Sequence, residues 1–183
     1  MDTDFVWKLI VGGNGNVGKT TLLYRFIKGD FIENLMSTVG VQFHSHVFDR
    51  EGKLINLVLW DLGGQDRFRV IHEDYLRGAS GGIVCFDLTS MQSLKGCVAW
   101  IDTFRKVIPS LPILLVGTKL DLVDSNQNKL IFKMANLMTL EKSLHGFIQT
   151  SSKQGINVDQ AINSMIDIIY GNLIPSEIPS RFS

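Results

Sequence analysis

The chain has 183 residues, 45% hydrophobic and 20% charged, which suits one domain with a sizeable core. Eighteen basic residues balance eighteen acidic ones, which argues against a protein that grips nucleic-acid backbone through a basic surplus. Two cysteines make no disulfide framework, so a reducing compartment, the cytoplasm, is the expectation.

The order of elements starts with FVWKLIV at residues 5–11, an apolar run suited to a buried strand. Residues 18–28 then place Leu22, Leu23, Phe26 and Ile27 on one helical stripe. VGVQFHSHVF, residues 39–48, is more polar and nearly alternating. Arg50-Glu51-Gly52 turns it back into the apolar run LINLVLW, residues 54–60, so the pair is predicted to be an antiparallel hairpin with the polar strand near an edge. GGIVCF (81–86), PILLVG (112–117) and GFIQT (146–150) are three further strands. Helical stripes lie between them. Residues 90–107 carry Leu94, Val98, Ile101 and Phe104; 128–144 carry Leu130, Met134, Leu137 and Met138; 158–170 carry Ile162, Met165, Ile166 and Ile169. Each stripe is predicted to face the core.

Strands alternating with helices define an α/β fold: about six strands, mostly parallel, one antiparallel at an edge, with helices on both faces. One domain over residues 1–174 and a short, loosely ordered tail over 175–183 are expected. The chain opens MDTDFVWK, which is no signal peptide. Residue 2 is aspartate and no cysteine follows Cys97, so no terminal lipid anchor is expected. His44 and His46 alternate on one face of the edge strand, which is read as a solvated face because two histidines make no closed metal site. Trp7, Trp60 and Trp100 are read as packing residues.

In such a sheet ligands bind beyond the carboxyl ends of the strands, and four polar clusters lie there: GNGNVGKTT, DLGGQD, TKLD and TSSK. Gly13-Asn14-Gly15-Asn16-Val17-Gly18-Lys19-Thr20 fits the phosphate loop G-x-x-x-x-G-K-[ST] between a strand and a helix. Its glycines let backbone N–H groups turn toward phosphate oxygens, Lys19 can neutralise β- and γ-phosphates, and the Thr20 hydroxyl can ligate Mg²⁺. Asp121, in TKLD, can accept from both donors on the guanine edge, whereas adenine offers no such pair there. TKLD alone would fit a polar turn equally well. In LWDLGGQDRFR, Asp61 ends a strand and Gly63, Gly64 and Gln65 follow, which alone fits a tight turn or a site.

These motifs, with STVGVQF, YLRGA and FDLTS, resemble the Ras superfamily of small GTPases, a P-loop fold, over about residues 5–170. The wording is most Rab-like. WDLGGQD resembles Arf proteins more than the WDTAGQE usual in Rabs, and TKLD resembles some Rho-family members. The resemblance implies GTP/GDP binding with Mg²⁺ and slow GTP hydrolysis. It implies phosphate contacts from Asn14, Gly15, Asn16, Val17, Gly18, Lys19, Thr20 and Thr21. Phe31 matches the aromatic against guanine. Thr38 matches the switch I threonine on Mg²⁺, Asp61 the aspartate that holds Mg²⁺ through water, and Gly64 the backbone donor to the γ-phosphate. Gln65 matches the glutamine that orients water. Thr118, Lys119, Asp121, Leu122, Ser151, Ser152 and Lys153 would surround the base. A GTPase-activating protein, an exchange factor and effectors acting through switches I and II are the implied partners, with peripheral recruitment to a membrane by one of them. Departures are Thr118 for asparagine, Ser152 for alanine, Leu35 for a tyrosine over the γ-phosphate, the extra Gly63, and no prenyl cysteine. A static GTP-binding module with little hydrolysis, and a P-loop protein preferring ATP, are the alternatives left by the sequence.

Overall fold

A computed structural model describes residues 3–33, 35, 38–64, 74–124 and 129–173. Along the chain come β1 (Phe5–Gly12), α1 (Lys19–Lys28), β2 (Val41–Arg50), β3 (Lys53–Leu62), β4 (Gly81–Asp87), α2 (Met91–Val107), β5 (Ile113–Thr118), a 3₁₀ turn (Leu120–Leu122), α3 (Lys129–Glu141), β6 (Phe147–Gln149) and α4 (Val158–Leu173). Among the described residues the strands form one sheet in the order β2-β3-β1-β4-β5-β6. All neighbours are parallel except β2 and β3, as the hairpin reading requires.

Apolar side chains on both faces of β1, β4 and β5 explain why these strands are central: each must be covered twice. One core packs α1 and α4 against the sheet through Leu22, Leu23, Ile162, Met165 and Ile166. The other packs α2 and α3 through Leu94, Trp100, Ile101, Phe104 and Ile131. Ser90 starts α2 by accepting from the Ser93 backbone N–H at 3.2 Å, a hydroxyl cap. Gly29 ends α1 at φ 70° with its N–H on the Arg25 carbonyl.

Two expectations need correction. On α3 the stripe Leu130, Met134, Leu137 does not face the core: Leu130 is 61% exposed, Met134 42% and Leu137 38%, and Leu140 near the helix end is 75% exposed. Ile131 and Ala135 are buried instead, with Phe132 and Met138 half-buried. The two stripes differ by one residue, so apolar periodicity fits both. Packing of Ile131 and Ala135 into the core shared with α2 accompanies the observed rotation, and just past the helix end Lys142 meets Asp102 at 2.9 Å while Arg105 donates to the Ser143 carbonyl at 3.1 Å. On β2 the face carrying His44 and His46 is half-buried rather than solvated, because α1 covers it; the His46 ring lies 5.1 Å from that of Phe26. The exposed face of β2 carries Phe43, Ser45 and Val47. There Phe43 meets Trp60 edge-on at 4.5 Å, and the Lys8 ammonium lies 3.5 Å from the Trp60 ring centre.

Candidate nucleotide site

β1 delivers the chain to Gly13, whose φ of 140° belongs to glycine and whose missing Cβ would sit 2.3 Å from the Cys85 carbonyl oxygen. The loop therefore rests directly on β4. Asn16 (φ 61°) and Gly18 (φ 92°) are also left-handed, the kind of backbone that can form an anion-binding concavity. Gly18 caps α1 with no side-chain bond, and no acidic residue stands in the first turn. The helix N-terminus thus keeps its orphan donors and partial positive charge for an anion.

Lys19 lies across this loop, 5% exposed, its ammonium on the Gly13 and Asn14 carbonyls at 2.8 and 2.9 Å. Burial lowers its pKa, while the Asp61 carboxylate opposes the shift. The Cys85 thiol is pushed up to about 12 by burial, so it stays neutral and packs.

Beside Lys19 three oxygens converge from three elements. Thr20 Oγ1 donates to Asp61 Oδ2 at 2.5 Å and lies 2.6 Å from Thr38 Oγ1, and Thr38 lies 3.1 Å from the same carboxylate oxygen. Asp61 is fully buried, and its Oδ1 has no hydrogen-bond partner among the described residues. Burial raises its pKa against the pull of Thr20, Lys19, Thr38 and His44. Hard oxygen donors and an orphaned buried carboxylate oxygen are the set that suits Mg²⁺, so these residues fit the ion the resemblance implies.

Gly63 has a definite role here. Its N–H donates to the Gly40 carbonyl at 2.7 Å, and a Cβ would lie 2.8 Å from that oxygen and 2.9 Å from the Thr38 carbonyl oxygen. It lets the segment after Thr38 cross tightly over the end of β3. At Gly64 a Cβ would lie 2.3 Å from the Asn14 carbonyl carbon and 2.4 Å from the Gly15 nitrogen. The segment after β3 therefore sits directly on the phosphate loop.

The cleft has two adjoining chambers. One, about 290 Å³, is lined by Gly15, Asn16, Gly18, Lys19, Thr20, Thr21, Glu33, Leu35, Thr38, Gly64 and Lys119. The other, about 250 Å³, is lined by Gly18, Thr21, Phe31, Glu33, Thr118, Lys119, Asp121, Leu122, Ser152 and Lys153. In the second, Ser151 donates to Asp121 Oδ1 at 2.6 Å; Asp121 Oδ2 has no partner among the described residues. Lys119, left-handed at φ 59°, bridges Asp87 at 2.7 Å and the Asn16 carbonyl at 3.0 Å. Thr118 donates its hydroxyl to the Val17 carbonyl, with the Phe86 carbonyl at 3.0 Å as a second acceptor.

The structure thus gathers into one cleft the residues that the sequence placed in four separate clusters. Asn14 and Val17 shape the loop without lining either chamber, and Gln65 lies outside the described residues, as do Arg67, Arg69 and the tail. Sequence reasoning missed Glu33, which borders both chambers, and Asp87, the counter-ion of Lys119. Asp87 carried a signal: it is a polar residue at the carboxyl end of an apolar strand.

Fold and site together define a P-loop nucleotide-binding protein. The sequence pattern described as the Ras family matches residues 8–171. The GTP-binding protein ypt1 of Schizosaccharomyces pombe is 37% identical over 164 residues, 88% of this chain and 79% of that protein. The Ras-related protein RABD1 of Arabidopsis thaliana is 37% identical over 159 residues, 86% of this chain and 76% of that protein. Human Ras-related protein Rab-4B is 35% identical over 180 residues, 97% of this chain and 83% of that protein. The chain belongs to the Ras family and is Rab-like within it. It is a small GTPase, a switch that binds guanine nucleotide and hydrolyses GTP.

Proposed function

We propose that the 290 Å³ chamber takes the triphosphate of GTP and the 250 Å³ chamber its guanine. The observation that carries this is the convergence of Thr20, Thr38 and the half-satisfied Asp61 carboxylate beside Lys19. Lys19 and the loop's backbone N–H groups offset phosphate charge. Thr20 and Thr38 would hold Mg²⁺ directly and Asp61 through water. Bound there, Mg²⁺ would supply positive charge against the β- and γ-phosphate oxygens. Asp121 selects guanine by accepting from its donor edge, with Ser151 fixing the carboxylate and Lys153 lining the same chamber.

Gln65, immediately after Gly64, orients the attacking water. Little covalent chemistry is required beyond position and charge, so turnover alone is slow. An arginine from an activating partner accelerates it by a factor on the order of 10³–10⁵. Thr38 and Gly64 lie in separate segments, and both would contact the γ-phosphate; its loss releases both and changes the surface that effectors and exchange factors read. The protein acts in the cytoplasm, brought to membranes by a partner; among the described residues no helix is long and apolar enough to cross one.

Single-turnover GTP hydrolysis tests the role of Gln65. Gln65→Leu is expected to bind GTP as wild type does and to hydrolyse it at least tenfold more slowly. Equal rates in the two proteins would remove the assignment.

A further inference from the structure

Trp100 lies in the middle of α2 and is almost fully buried, yet its indole is not only packing. Its Nε1–H donates to Asn14 Oδ1 at 3.2 Å, across 86 positions of sequence. Asn14 stands between Gly13 and Gly15, so it is the one residue of that three-residue stretch with a side chain. Its carbonyl accepts from Lys19 at 2.9 Å, and its backbone is the surface that Gly64 touches.

The space for this contact is cut into both elements. A Cβ on Gly96, one turn before Trp100, would lie 2.3 Å from Asn14 Nδ2, and the nearest atoms to it all belong to Asn14. A Cβ on Gly12, at the end of β1, would lie 2.6 Å from the Trp100 ring and 2.8 Å from Phe104. One absent side chain admits the Asn14 amide and the other admits the indole.

We propose that Trp100 is a positioning residue for nucleotide binding: through Asn14 it holds the phosphate loop from beneath and thereby sets how slowly GDP leaves. The proposal rests on the GTPase reading. A loop held in its binding form before the ligand arrives spares the cost of ordering it. Removing the indole donor deletes this part-buried tie between α2 and the phosphate loop.

The test uses the full chain loaded with a fluorescent GDP analogue in Mg²⁺ and chased with excess GDP. Trp100→Phe is expected to release the analogue roughly 5- to 30-fold faster, the factor that corresponds to losing one such hydrogen bond. Gly96→Ala is expected to do likewise by displacing the Asn14 amide, although alanine in a helix stabilises it relative to glycine. On an Asn14→Ala background both substitutions should change the rate by less than twofold, because the contact they act through is gone. Release within twofold of wild type for both single variants, or multiplied effects on the Asn14→Ala background, would overturn the proposal. If Trp100→Phe does not fold, the Gly96→Ala and Asn14→Ala pair decides on the same criteria. A wild-type chain that holds no GDP analogue at all would overturn the GTPase reading and this proposal with it.

Discussion

Thr118 has one proton to donate and two carbonyls within reach, those of Val17 and Phe86. An asparagine would bring two N–H donors and an acceptor to the same place. The hydroxyl therefore ties the phosphate loop to β5 with nothing left to give to the base. Thr118→Val keeps the shape and deletes the tie, stranding the Val17 carbonyl; it should cost about 1–3 kcal/mol in denaturant unfolding. Asp87 tells a different story. Burial pushes its carboxyl upward, but Lys119 and Thr89 hydrogen-bond the charged form, and the net shift is below its ordinary value of 3.8. A depressed folded-state value stabilises the fold above the unfolded pKa, and this stability is lost as pH falls through the folded value. Asp87→Asn should thus be less stable than wild type near pH 7, by about 1–2 kcal/mol. The gap should close as pH is lowered through and below 3.8. Urea unfolding from pH 7 to pH 3 measures it.

Helix α3 shows where an element outruns its own pattern. Its inward and outward stripes are both apolar, so substitutions on them should behave oppositely. Ile131→Ala, at a buried position, is expected to cost about 2–5 kcal/mol. Leu130→Gln and Leu140→Gln, at exposed ones, should stay within roughly ±0.5 kcal/mol. Denaturant midpoints of the three variants check this, and equal losses would restore the outward stripe to the core. The mostly parallel sheet and the β2–β3 hairpin at its edge were legible in advance, because buried parallel strands and an edge strand differ in apolar density. The phosphate loop was legible because its chemistry needs glycines, a lysine and a hydroxyl in a fixed local order. The Trp100–Asn14 contact left no such trace, since a buried tryptophan is ordinary in a helix and its partner lies 86 residues away. Gly63 was visible but unexplained; its reason is the passage of Gly40 over the end of β3.

Over the whole molecule, the parallel sheet collects the carboxyl ends of β1, β3, β4 and β5 on one edge, and that edge carries the site. Two cores hold helices against both faces, while the segments containing Thr38 and Gly64 cross above the sheet and meet at Gly40 and Gly63. A rigid frame beneath two segments that, in the proposed function, both reach one phosphate is what a switch requires. The central claim is that this cleft selects guanine nucleotide, and the chain itself can be asked. The purified protein is denatured and its released nucleotide identified by chromatography. The account predicts GDP or GTP in near-equal amount to protein, and repeated recovery of adenine nucleotides would contradict it.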